Sequence, residues 1–300
     1  MSFDTVPPEA HSSITVAAVR ELLATQAPQF AHLPIGEKFE GWDCAMFRLG
    51  SDLGVRVPRT EHAVRFLQAE THWVPRLSGA WDFPHPHFPF LGLPGAGYPW
   101  PWAIVSWLPG DMAIDVPISA EAGRSVGLAL AQVHVPAPPD APFNIEQSIP
   151  MQARDVKVRE RIVTVVGLPG GELDAGAATE LWEAALAAAP TAERVWSHGD
   201  LHGANVLSHA GEFGGIVDWG SMAACDPAVD VGFVHLLMPA AGVEGALAAY
   251  GEATGRVDGA FLARVRGVGL AKSLGVVMSE RPATRAMGWR GLVALGVAST

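Results

Sequence analysis

Apolar residues change their spacing along this chain, and each change marks an element. Ile14, Val16, Val19, Leu22 and Leu23 recur at helical intervals behind Ser12-Ser13, which predicts an N-capped amphipathic helix ending before Pro28. From Gly36 to Val57 the period shortens. Phe39-Glu40-Gly41-Trp42, Ala45-Met46-Phe47-Arg48-Leu49 and Val55-Arg56-Val57 read as an antiparallel meander, with a Gly50-Ser51-Asp52 turn before the third strand. Val64, Leu67, Trp73, Val74 and Leu77 restore helical spacing over 61–79, with Glu70 inside. A loop rich in Pro and His, 82–101, leads to an apolar strand from Trp102 to Leu108 that stops at Pro109-Gly110. That stop divides the chain into an N-terminal lobe, 1–108, and a C-terminal lobe, 109–300.

Beyond the stop the pattern is mostly helical. Ser119-Ala120-Glu121 opens a helix through Val126, Leu130 and Val133, and a Pro-rich connection over 135–150 precedes a polar helical piece at 151–164. Ala177 to Ala189 places Leu181, Trp182, Ala185 and Leu186 on one face, Asp226-Pro227 starts a further helix, and 241–300 hold three more. Between them, Val195-Trp196 is extended. Val206-Leu207-Ser208, a turn at His209-Ala210-Gly211 and Phe213 to Val217 form a short hairpin. The expected class is α+β: an antiparallel sheet with one helix packed on it, then a mainly helical lobe.

Composition narrows the function classes. A hydrophobic content of 49% over 300 residues supports a sizeable core, and 33 Gly with 24 Pro stay below the level of a low-complexity chain, so disorder is expected only at the two ends. A formal charge of −11 argues against a nucleic-acid or anionic-membrane surface, which needs clustered Lys and Arg, and tolerates cationic small molecules. Cys44 and Cys225 lie far apart and outside any C-x-x-C, so neither a zinc site nor a disulfide framework is indicated. With no basic-then-apolar leader and no apolar run of about 18 residues, a cytoplasmic protein is expected.

The chemistry concentrates in His198-Gly199-Asp200-Leu201-His202-Gly203-Ala204-Asn205 and Ile216-Val217-Asp218-Trp219-Gly220. These runs keep the His, Asp, Leu and Asn of the kinase catalytic-loop pattern H-R-D-L-x-x-x-N, and the Asp and Gly of D-F-G. Phosphoryl transfer needs a carboxylate beside the acceptor hydroxyl, and hard oxygen ligands for Mg²⁺ against the phosphates. Asp200 suits the first role, Asn205 and Asp218 the second, and the hairpin would bring Asp218 back to Asn205.

With Cys225-Asp226-Pro227-Ala228-Val229-Asp230, Gly41-Trp42-Asp43, Val55-Arg56-Val57-Pro58-Arg59 and Trp107-Leu108-Pro109-Gly110, these runs make the chain resemble the aminoglycoside and macrolide phosphotransferase family. The resemblance spans nearly the whole chain and implies the bilobal protein-kinase-like fold. It also implies Asp200 as base, Asn205 and Asp218 as Mg²⁺ ligands, and ATP or GTP as phosphoryl donor. Arg56 stands where kinases place a Lys, with Glu70 as its partner and Arg59 as a competing phosphate ligand; Arg is not equivalent to Lys there. The Gly36 to Gly41 segment would cover the nucleotide, and Ser106 to Leu108 would offer backbone groups to a purine base. Cys44 replaces an expected Asn. Asp226 and Asp230 would brace the catalytic loop.

Other features have plainer explanations. His198, His202, His85 and His87 lack a third nitrogen or sulfur ligand, so structural hydrogen bonds are expected of them. Gly123-Arg124-Ser125-Val126-Gly127 fits the G-x-S-x-G elbow, but no strand precedes it. Trp182, Trp289 and Asp155 could line the acceptor pocket or simply pack. Three functional readings stay open: a kinase for an antibiotic-like hydroxyl, a kinase for a choline-, homoserine- or sugar-like metabolite, and a catalytically silent nucleotide-binding module. In each the partners are a nucleotide and small molecules.

Overall fold

The computed structural model describes residues 9–299; the expectation of disordered ends concerns residues that lie outside that range. Helix α1 (Val16–Gln26) precedes strands β1 (Ile35–Glu40), β2 (Cys44–Leu49) and β3 (Leu53–Pro58), helix α2 (Glu61–Leu77), and strands β4 (Phe90–Gly92) and β5 (Trp102–Ser106). The five strands form one antiparallel sheet in the order β1-β2-β3-β5-β4. Alternation decides its faces. Ala45, Phe47, Leu49, Val55 and Val57 are buried against Val19, Leu22 and Leu23 of α1. The opposite face carries Cys44, Met46, Arg48, Gly54 and Arg56, and turns toward the second lobe.

Three expectations change here. The helix cap is Thr15, whose hydroxyl accepts the N–H of Ala18 at 3.1 Å, not Ser12-Ser13. The first strand is β1, Ile35 to Glu40, rather than Phe39 to Trp42, because pairing with β2 ends there; Gly41 to Asp43 form the turn. The 82–101 loop contains β4, an edge strand of three residues, too short to leave a periodic trace.

The remaining elements are β6 (Asp111–Met112), α3 (Gly123–Val133), α4 (Asp155–Val165), β7 (Glu172–Leu173), α5 (Ala175–Ala187), β8 (Val195–Ser197), β9 (Val206–His209), β10 (Glu212–Ile216), β11 (Ala223–Cys225), α6 (Ala228–Leu237), α7 (Ala240–Thr254), α8 (Gly259–Val277), α9 (Pro282–Ala294) and β12 (Ala298–Ser299). The predicted hairpin is β9–β10, joined at its edge by β6. Helix α6 is buried along its whole length and forms the centre of this lobe. The G-x-S-x-G run is helical. Gly123 and Gly127 lie one turn apart on α3, and a Cβ on either would come within 2.0 and 2.1 Å of the Gly242 and Ala246 carbonyl oxygens of α7. Those glycines permit close helix packing and form no nucleophile elbow. Among the described residues no helix is long and apolar enough to cross a membrane.

Candidate active site

Strand β8 pairs with β11 and delivers the chain to His198. Asp230, fully buried on α6, accepts the N–H of His198 at 2.6 Å and of Gly199 at 2.9 Å, which pins the start of the loop. Gly199 has φ 80°, and a Cβ there would lie 2.7 Å from the Ser221 carbonyl oxygen, so glycine is required on two grounds. His198 Nδ1 accepts the N–H of Asp200 at 3.2 Å, which leaves Nε2 to donate to the Val217 carbonyl at 2.9 Å. Asn205 donates its Nδ2 to the Asp200 carbonyl, and its own carbonyl accepts the N–H of Val217, each at 2.9 Å. The loop is thus tied at both ends to the residue before Asp218. Asp200, Asn205 and Asp218 come together as the hairpin predicts, and His198 has the structural role expected of it.

Arg56 and Glu70 also meet. The Arg56 guanidinium pairs with Glu70 Oε2 and with Asp218 Oδ1, while Glu70 Oε1 accepts the Trp219 N–H at 3.0 Å. One cation therefore joins the sheet, α2 and the segment after the hairpin. Burial favours the neutral forms of both partners; the two carboxylates keep Arg56 charged, while burial lifts Glu70 above the usual carboxylate range despite Arg56. Asp218 adopts the left-handed conformation, φ 60° and ψ 62°. Ala96 and Ala210 share this uncommon region, which Asp tolerates better than most residues other than Gly.

Around Asp200 lie His202, from the same motif, and Lys272, which the motif did not reveal. His202 Nε2 is 3.5 Å from Asp200 Oδ2. Lys272 of α8 donates to Gln147 Oε1 at 2.8 Å and lies over the Phe233 ring. Burial would raise the Asp200 carboxyl, but His202 and Lys272 outweigh it and hold Asp200 well below the usual carboxylate range. Burial pushes Lys272 down to about 7, with Arg154 adding to the shift and Asp200 and Glu146 opposing it. A sequence signal existed: Lys272 is the single charge in Gly267 to Val277. Gln147 and Glu146, in the Pro-rich connection, gave none. Asp43, in the β1–β2 turn, is raised by burial and by Asp218.

The other predicted residues have defined places. Gly41 closes the β1–β2 turn through its N–H to the Cys44 carbonyl at 2.9 Å. Arg59 donates to the Gly41 carbonyl at 2.9 Å and pairs with Glu40, so its guanidinium holds that turn. Cys44 is buried beside Arg56, and burial pushes its thiol up to about 11. Ser106 ends β5, with its N–H on the His87 carbonyl and its hydroxyl accepting the His87 N–H, both at 2.9 Å; Leu108 lies two residues on. His85 is buried against Trp81 and Phe83. The Asp226 carboxylate accepts the N–H of Ala228 at the start of α6 and pairs with Arg264, so of the two acidic residues it is Asp230 that touches the loop at His198. Trp182 donates to Asp155 and Trp289 to the Pro169 carbonyl; both rings are buried in a second core.

Among the described residues no three His, Cys, Asp or Glu side chains gather as a metal site. Mg²⁺ does not require one. It is bound through one or two protein oxygens completed by phosphates and water. Asn205 and the half-exposed Asp218 carboxylate supply hard oxygen donors of that kind on either side of the Val217 link.

A sheet lobe faces a helical lobe, with the Asp200 loop and the buried Arg56–Glu70 pair between them. The chain belongs to the phosphotransferase enzyme family, whose model matches residues 38–267. No curated protein matches it. Similar solved structures include macrolide 2'-phosphotransferase MphH from Brachybacterium faecium, 23% identical over 92% of this chain and 98% of that one, with a TM-score of 0.58. The GDP complex of aminoglycoside 2'-phosphotransferase-IIIa is 17% identical over 93% and 97%, TM-score 0.58. Macrolide 2'-phosphotransferase type I is 18% identical over 96% and 99%, also with a TM-score of 0.58. These likenesses establish the bilobal kinase-like fold.

Proposed function

We propose that the protein transfers the γ-phosphoryl group of ATP or GTP to a hydroxyl of an antibiotic-like molecule of the aminoglycoside or macrolide type. The observation that carries this is the convergence of Asp200, Asn205 and Asp218 on one loop-and-hairpin unit, with Arg56 reaching Asp218 from the sheet. The names of the similar solved proteins support the acceptor class, and the GDP held by one supports a nucleotide donor. Residues 1–108 serve as the nucleotide-binding lobe and 109–300 as the catalytic and acceptor-binding lobe.

Asp200 accepts a hydrogen bond from the acceptor hydroxyl and orients its oxygen toward the γ-phosphorus. Because His202 and Lys272 keep it ionised, it is a weak base, and it takes the proton as the P–O bond forms. Arg56, held by Glu70, carries positive charge to the phosphates. Asn205 and Asp218 would hold Mg²⁺, which would supply positive charge against the phosphates. The acceptor's oxygen replaces the nucleoside diphosphate on phosphorus, and the diphosphate leaves.

Nucleotide turnover with Mg²⁺ is measured over a panel of aminoglycosides, macrolides and amino alcohols. Asp200→Asn is expected to lose about 10²–10⁴-fold in rate while remaining folded at the assay temperature. An Asp200→Asn enzyme as active as its parent would overturn the assignment.

A further inference from the structure

A cavity of about 70 Å³ lies in the helical lobe, walled by the 149–154 connection, the end of α5, the segment before β8, the start of α6 and the first half of α8. None of Arg56, Asp200, Asn205 or Asp218 lines it. Ile149, Met151, Ala185 and Val268 make much of its wall apolar, and three guanidiniums, those of Arg154, Arg194 and Arg264, stand against one carboxylate, Asp226. That carboxylate is already committed. Its Oδ2 accepts Arg264 Nε at 2.8 Å and its Oδ1 accepts the Ala228 N–H at 2.9 Å, while Arg264 Nη1 donates to the Ala189 carbonyl at 2.7 Å.

Arg154 and Arg194 differ from Arg264. Among the described residues neither forms an ion pair, and each donates to a main-chain carbonyl: Arg154 Nη2 to Gln147 at 3.3 Å and Arg194 Nη1 to Ser148 at 3.4 Å. Arg154 Nε is buried and meets no hydrogen-bond partner among the described residues. Burial pulls the Arg154 guanidinium down more strongly than Cys225, Glu146 and Asp226 draw it up. Because a guanidinium stays charged in a protein, that desolvation can be offset only by hydrogen bonds and opposite charge.

We propose that this cavity binds a small oxyanion, a phosphate or carboxylate group clamped by Arg154 and Arg194. The planar fork of a guanidinium matches either group through paired N–H donors. One water needs roughly 10–15 Å³ of such space, so the cavity takes a group of roughly five heavy atoms and excludes a nucleotide. Arg194 is exposed, which gives the anion a way in from solvent. Once bound, it joins the connection before α4 to the segment that enters β8. The site is separate from the reaction at Asp200 and stands whether or not that assignment holds.

Isothermal titration of the full chain with inorganic phosphate and, separately, with acetate in chloride buffer tests this. The parent is expected to bind one or both. Arg154→Gln should weaken that binding by about 10- to 150-fold, as expected for the loss of a hydrogen bond to a charged group. Arg194→Gln alters an exposed side chain, should weaken binding as well, and covers an Arg154 variant that fails to fold. Binding of phosphate alone identifies a phosphate group as the ligand and binding of acetate alone a carboxylate; both support the clamp, as does binding of the two together. A parent that binds neither anion overturns the proposal. So does undiminished binding in either folded variant, which would place the anion elsewhere, as beside Arg56.

Discussion

Replacing Arg56 by Met removes the cation that joins the two lobes and strands a buried carboxylate. Glu70 has no exposed surface, and its Oε2 would lose its charged partner while Oε1 kept the Trp219 N–H. The Asp218 arm counts for little in stability, since that carboxylate is 46% exposed and screened by water. Removing one partner of a buried ion pair costs about 3–5 kcal/mol. At ~2–4 °C per kcal/mol, the thermal midpoint should fall by roughly 6–20 °C. The loss should depend on pH. Burial already raises Glu70, and without Arg56 its folded-state pKa lies further above the unfolded value. Between those two values the folded state binds more protons, so stability increases as pH falls. The deficit of the variant should therefore be largest near pH 8 and shrink toward pH 5. Arg56→Met/Glu70→Leu, which removes the stranded charge, should recover most of the stability but none of the nucleotide turnover. Thermal unfolding of parent, single and double variants at pH 5, 6.5 and 8 measures these differences. A deficit that is small, or equal at every pH, refutes the role given to the Glu70 arm.

The loop supports and the helix packing can be probed in the same way. Asp230→Ala strands two buried N–H groups and the His134 ring, so about 3–5 kcal/mol of stability should be lost, read by urea unfolding. Because the Asp230 carboxyl is lowered in the fold, mainly by His134 working against burial, its contribution is present at neutral pH and fades as pH falls below the unfolded value of about 4. Lys272 is lowered to about 7, so the unfolded chain binds more protons from there up to about 10.4, and stability should rise with pH across that window. Lys272→Met should flatten that rise in calorimetric scans. Gly127→Ala places a Cβ 2.1 Å from the Ala246 carbonyl oxygen and should cost about 1–3 kcal/mol or more, seen as a lowered urea midpoint.

The geometry of the 198–218 segment was legible because it is local. Asp200, Asn205 and Asp218 stand at fixed spacings on one loop and one hairpin, and a two-stranded hairpin returns its ends together whatever surrounds it. The meander was legible for a similar reason: β1, β2 and β3 are sequence neighbours whose period-two pattern fixes the buried face. Three residues of β4 carry too little pattern to show, and either Ser12-Ser13 or Thr15 satisfies the rule for a cap, so only the fold chose between them.

Partners distant in sequence were decided by tertiary structure alone. Arg56 and Asp218 are 162 positions apart, and their meeting depends on how the two lobes close. The sequence placed Asp226 at a helix start, where its carboxylate could take a free N–H, and gave Asp230 only a bracing role; packing of α6 under the loop gave the loop amides to Asp230. Lys272 and Gln147 reach the surroundings of Asp200 from a helix and a connection that share no motif with it. Local spacing thus determined which atoms could do the chemistry. Long-range packing determined their charge, because the burial and the opposing charges that set a pKa belong to residues brought together only when the chain is folded.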